Sequence, residues 1–107
     1  MTATEVHVCV AEDRGPDQQL VLRATGEVDA TNASEFARSV RELVGSRKAV
    51  LDLSELEYLG SAGYAALDDL IASCGIRIVL AEHSHLRRAA KLMSLPFCDS
   101  VRAALDS

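Results

Sequence analysis

Two nearly continuous apolar runs, Ala49 to Leu53 and Ile76 to Ala81, bracket one amphipathic stretch. A strand that is apolar at almost every position must be buried on both faces, and such strands belong to parallel sheets covered by helices. Between the two runs, Ala66, Leu67, Leu70 and Ile71 recur at helical spacing from about Ser61 to Cys74, and Gly75 ends the run. A strand, a helix and a second strand in that order imply a right-handed crossover. The chain is thereby directed to an α/β arrangement.

The flanking segments extend this pattern. Glu5 to Ala11 places Val6, Val8 and Val10 on one face, which is the period of a half-buried strand. Asp13-Arg14-Gly15-Pro16-Asp17 reads as a turn, and Leu20, Leu22 and Ala24 alternate again before Gly26. Together these predict an antiparallel hairpin with Glu5–Ala11 at the sheet edge. Phe36, Val40, Leu43 and Val44 then follow helical spacing up to Gly45, with Asn32 and Glu35 in the form of a capping box. Ser84 is expected to cap a third helix carrying Leu86, Ala89, Ala90, Leu92 and Met93, which Pro96 breaks. Asp99 is expected to cap a short tail helix with Val101 and Leu105 four apart.

The order β-β-α-β-α-β-α, then a tail helix, predicts one domain over residues 1–107. Its sheet is mixed and mostly parallel, of four or five strands, with helices packed against it and a short C-terminal helix. In such sheets the loops at the carboxyl ends of the strands carry function. Two loops qualify here: Gly26 to Asn32, and Ser54 to Ser61.

Composition narrows the function. The net charge of −5 argues against non-specific nucleic-acid binding and against an anionic membrane surface. It suits a basic protein partner. The first residues lack a basic leader and an apolar core, and no apolar run approaches the ~20 residues that span a bilayer. Cys9, Cys74 and Cys98 show no metal-ligand spacing and no C-x-x-C, so neither metal nor cofactor is expected and a reducing cytoplasm is. Cys74 and Cys98, at the end of one helix and before another, are a candidate redox pair provided their Cα atoms lie within about 7 Å.

Ser61, between Gly60 and Gly63 at the start of the second helix, is the focus. As a helix cap it would contribute about 1 kcal/mol over alanine. As a nucleophile it would need a glycine two residues earlier, where Leu59 stands, and a base in reach. Of His7, His83 and His85, only the last two lie on a loop that could face the same end of the sheet. Gly-Ser-Ala-Gly also lacks the Lys-Ser/Thr ending of a phosphate-binding loop. As a switch, a phosphoryl group would add about −1.5 to −2 charge at a helix end whose amides tolerate it. All three uses are open on these grounds. Nearby, Asp29 reads as a turn residue, Asp52 as a cap for the amides of the Ser54–Glu57 loop, and Asp68 and Asp69 as a solvated helix face. Tyr64 is expected to be exposed, as interface aromatics are.

Gly26-Glu27-Val28-Asp29, then Leu51-Asp52-Leu53-Ser54, then Tyr58-Leu59-Gly60-Ser61-Ala62-Gly63 resembles the STAS domain of anti-sigma factor antagonists, across essentially the whole chain. The resemblance implies a STAS fold and a small bacterial regulator that is not an enzyme. Unphosphorylated, it would bind an anti-sigma factor that is also a serine kinase, freeing the sigma factor for transcription. Phosphorylation at Ser61 would end that interaction and a phosphatase would restore it. The implied partner surface is Asp29, Gly60, Ser61, Ala62, Gly63 and Tyr64, on a chain that is a monomer when free. Gly60 stands where the family usually has an acidic residue, and Ala62 where a second hydroxyl often follows. A further strand usual between Leu95 and Val101 has little chain to form it. The alternative within the family is an unphosphorylated STAS scaffold subunit of a stress-sensing or lipid-transport complex.

Overall fold

The structure is a computed structural model that describes residues 4–15 and 18–106; Pro16 and Asp17 of the first turn lie outside the described residues. Its elements, in chain order, are β1 (Val6–Asp13), β2 (Leu20–Val28), α1 (Ala33–Val44), β3 (Ala49–Asp52), β4 (Leu56–Leu59), α2 (Ser61–Cys74), β5 (Arg77–Val79), α3 (Arg87–Leu92) and α4 (Val101–Leu105). They form the expected mixed α/β architecture around a five-stranded sheet. β1 is the antiparallel edge, paired with β2. The remaining pairings, β2 with β3, β2 with β4 and β3 with β5, are parallel.

β2 organises the sheet. Its first half, Leu20 to Arg23, pairs with β3, and its second half, Gly26 to Val28, pairs with β4. The chain leaves the sheet after Asp52, turns through 53–55, and rejoins the same strand. The turn is closed by Leu56 N–H donating to the Leu53 carbonyl at 3.0 Å. Asp52 caps it, accepting the Ser54 amide at 3.0 Å. The Ser54–Ser61 segment is therefore only partly a loop. It contains a strand that Leu56 and Leu59 bury while Glu57 and Tyr58 face out.

The core divides by sheet face. On one side Leu22, Ala24, Leu51 and Ile78 meet Phe36, Val40 and Val44 of α1 and Leu67 and Leu70 of α2. Each such side chain contributes about 1.5–3 kcal/mol when fully buried. On the other side Val21, Val50 and Val79 are covered by Ala104 of α4, with Val101 and Leu105 packed around it. Strand alternation sends neighbouring residues to opposite faces, so β3 is apolar at Ala49, Val50 and Leu51 and buried throughout.

The tail shows why a sixth strand does not form. Cys98 makes a single parallel bridge to Val79, donating to the Ile78 carbonyl at 2.8 Å and accepting from Leu80 N–H at 3.0 Å. In that register the preceding ladder bond would come from residue 96, and proline has no N–H to give. Arg87 then fixes the tail. It donates to the Leu80 carbonyl at 2.8 Å, pairs with Asp99 at 3.0 Å and stacks over Phe97. With Asp99 so engaged, the cap of α4 is Ser100, whose hydroxyl accepts the Ala103 amide at 3.0 Å. α3 likewise starts later than expected. Ser84 is buried and accepts the Leu86 amide in the turn before the helix.

At Gly26 (φ +96°) a Cβ would overlap the Glu5 carbonyl, whose oxygen accepts the Glu27 amide at 2.8 Å. The substitution Gly26→Ala combines that overlap with a disfavoured backbone conformation. It is expected to lower unfolding free energy by about 2 kcal/mol, read as a shift in denaturation midpoint at constant slope.

Candidate functional site

The carboxyl ends of β2 and β4 lie side by side because the strands are parallel. Gly60 N–H donates to the Val28 carbonyl at 2.9 Å, continuing the ladder one step beyond β4. The two candidate loops are thus brought together: residues 29–32 leave β2 beside the point where α2 begins. Gly60 is the N-cap of α2 and Ser61 its first residue. Gly63 and Tyr64 both donate their amides to the Gly60 carbonyl, at 2.9 and 3.1 Å. Ser61 is therefore not the cap. Its side chain is exposed, and its hydroxyl has no hydrogen-bond partner among the described residues.

Three neighbouring hydroxyls at this end of the sheet are engaged by contrast. Ser54 accepts the Ala81 amide at 2.8 Å, Ser84 accepts the Leu86 amide, and Thr31 donates to Asp29. The histidines are also occupied elsewhere. His83 Nε2 lies 3.0 Å from a Glu55 carboxylate oxygen, and His85 Nε2 lies 2.6 Å from the Glu57 carbonyl. His7 is on the edge strand β1. None of the three stands as a base beside Ser61.

Asp29 is held in place by its neighbours. One carboxylate oxygen accepts from the Thr31 amide and hydroxyl, the other from the Thr4 hydroxyl at 2.8 Å. These bonds, the Thr31 hydroxyl first, hold its carboxyl below the usual carboxylate range. Asn32 does not form the expected capping box with Glu35. Its buried amide instead ties the loop, donating to the Glu27 carbonyl at 2.9 Å and accepting the Asp29 amide at 2.9 Å. A side chain with a donor and an acceptor can serve both loop ends, as a cap cannot.

Tyr64 is not exposed as expected, and Tyr58 is the exposed aromatic residue at this end. Tyr64 is 5% exposed and packs in the helix-side core; burial pushes its phenol pKa up, and its hydroxyl is buried without a partner among the described residues. It belongs to the packing beneath the site. Tyr58 is 53% exposed, and its ring lies against Gly60, where an added Cβ would come within 3.3 Å of the hydroxyl. Strand alternation does not signal this exposure, since Leu56 two residues earlier is buried; the pairing of β4 with β2 shifts register between Leu56 and Tyr58. Gly63 is glycine for packing: a Cβ there would overlap Leu59 and press on Val28.

Ala62 and Ala66 of α2 and Ala30, Ala33 and Ala37 line a shallow groove of about 590 Å³ between α1 and α2. The groove is crossed by the Arg41–Asp69 ion pair at 2.6 Å, so Asp69 is engaged rather than purely solvated. Cys74 packs with the helix-side core and Cys98 with the opposite cluster, both as free thiols. Among the described residues no group of acidic, His or Cys side chains is arranged to hold a metal, and no helix is long and apolar enough to cross a membrane.

A five-stranded mixed sheet with helices packed against it, and an exposed serine opening α2, places the chain among small mixed α/β domains. The family model of the STAS domain matches residues 10–102, and the chain belongs to that family. Its structure is similar to that of an anti-sigma factor antagonist from Mycobacterium paratuberculosis, with a TM-score of 0.78 and 25% identity over 95% of this chain and 92% of the other. The anti-sigma factor antagonist SpoIIAA in its unphosphorylated form shares the fold, at a TM-score of 0.61 and 10% identity over 85% and 82% of the chains. An uncharacterised protein with a SpoIIAA-like fold from Shewanella loihica does so at 0.56 and 17%, over 99% and 97%.

Two outcomes check the geometry. Removing the stranded hydroxyl with Tyr64→Phe leaves stability unchanged or raises it by up to about 1 kcal/mol, measured by thermal melting. Asp29 has a lowered folded-state pKa. Its stabilisation is therefore present above the unfolded carboxyl value of about 3.9 and lost as pH falls through the folded one. Asp29→Asn should flatten that part of the acid-unfolding profile.

Proposed function

We propose that this chain is an anti-sigma factor antagonist, a binding protein rather than an enzyme, whose unphosphorylated form engages an anti-sigma factor with serine kinase activity. The engagement frees a sigma factor for transcription in the bacterial cytoplasm. Transfer of the ATP γ-phosphoryl group to the Ser61 hydroxyl ends it, and a phosphatase restores it by hydrolysing the phosphoester. The observation that carries this reading is the uncommitted, exposed Ser61 hydroxyl at the first position of α2, beside the Asp29 loop. A group added there breaks no bond within the fold. The likeness to two anti-sigma factor antagonists, one at 25% identity, supports the same role.

The docking surface of this reading comprises Ser61, Ala62 and the shallow groove beside them, with the Asp29 loop and Gly60 at its margin. Residues 26–32 and 54–66 contain no Lys or Arg. A partner that fits this acidic, small-residue surface tolerates the hydroxyl and is repelled by a phosphate dianion.

Ser61→Ala should bind the anti-sigma partner like the parent chain and accept no phosphate from it with ATP, as read by intact mass. Ser61→Glu should bind at least tenfold more weakly, about 1.4 kcal/mol, in a calorimetric titration. Parent-like affinity in both Ser61→Glu and the phosphorylated chain would exclude the switch. A stable complex indifferent to ATP would indicate the scaffold role instead.

A further inference from the structure

We propose that Tyr58 is the side chain that receives the phosphoryl group once Ser61 carries it, its phenol hydroxyl donating a hydrogen bond to a phosphoryl oxygen. The inference rests on Ser61 as the modified residue and specifies what holds the modified state.

The local supply of donors leads to Tyr58. A phosphate dianion brings three strong acceptor oxygens that need donors. Arginine and lysine are the usual ones, and the two segments around Ser61, residues 26–32 and 54–66, have neither. The amides of Gly63 and Tyr64 are already given to the Gly60 carbonyl, which leaves those of Ser61 and Ala62 as backbone donors at this helix start and a side chain to supply the rest. The hydroxyls of Thr4 and Thr31 are given to Asp29, that of Tyr64 is buried, Arg41 in the adjoining groove is paired with Asp69, and Ser34 belongs to α1 on that groove's other wall. Tyr58 is different. It is 53% exposed, its hydroxyl has no partner among the described residues, and its ring rests on the residue immediately before Ser61.

Gly60 is what permits this placement. Any side chain at position 60 would begin 3.3 Å from both the hydroxyl oxygen and a ring carbon of Tyr58 and would press the phenol away. A glycine before the serine and a tyrosine two residues earlier therefore act as one unit. The unit presents a neutral donor to the serine, where a carboxylate at position 60 would repel the dianion. Tyr58 acts on the modified serine directly and takes no part in transferring the group.

The test needs neither kinase nor partner. Phosphoserine is placed at position 61 of the full chain by cotranslational incorporation, and its second ionisation is followed by phosphorus NMR. A donor to the dianion favours the dianion, so Tyr58→Phe should raise that pKa by about 0.5, whereas Tyr64→Phe should leave it in place. An unchanged value in Tyr58→Phe, or an equal rise in both variants, overturns the proposal. Tyr58→Phe removes only an exposed hydroxyl, and its unmodified form should melt with the parent. Anti-sigma binding by the same phosphorylated sample is a separate readout. If binding persists, the switch fails while the titration still decides the contact.

Discussion

The Gly60 amide, given to the Val28 carbonyl at 2.9 Å, fixes what lies at the working end of this domain. It is the last rung of the ladder between β2 and β4, and it ties the start of α2 to the start of the Asp29 loop. Leu56 and Leu59 keep β4 in the sheet by burial, and Asp52 and Ser54 close the turn that returns the chain to β2. The two loops converge through this chain of contacts, not through any direct bond between Asp29 and Ser61. Gly63 completes the junction, because Leu59 and Val28 occupy the space a side chain there would need.

What the residues reveal without coordinates follows from how local each signal is. The parallel core was legible because the runs Ala49 to Leu53 and Ile76 to Ala81 are so nearly apolar that two-sided burial suits them, and both helices of the main face announced themselves by spacing. β4 was not. With only Leu56 and Leu59 apolar and a charge and an aromatic between them, its four residues carry no alternation long enough to separate strand from link. Its strand character comes from the unpaired second half of β2, which is a tertiary fact. The caps failed for a related reason. Asn32, Ser61 and Asp99 each have the right side chain for capping, but loop closure, Gly60 and Arg87 make competing claims on those positions.

The site shows the same division. Ser61 and Asp29 are where the motif places them. Tyr64 is not a surface residue, because its position in α2 falls with Leu67 on the inward stripe. Tyr58 takes the exposed position instead. Period-two reasoning would have placed it with buried Leu56; the register shift between β2 and β4 breaks that alternation. The two thiols of the candidate pair are both free, Cys74 packed against the helix-side core and Cys98 against Val21, Val50 and Val79.

The mechanical consequence concerns what a charge at Ser61 can and cannot disturb. The first turn of α2 is closed by the Gly60 carbonyl, and the helix is held from below by Tyr64, Leu67 and Leu70. Neither depends on the serine side chain. A dianion added there meets the positive end of a 14-residue helix, which offsets part of its self-energy. It also adds to a surface whose one groove-lining arginine, Arg41, is already paired with Asp69. None of the bonds that hold the fold here involves the serine side chain. In the proposed switch a partner would sense the added charge through electrostatics and shape at the contact.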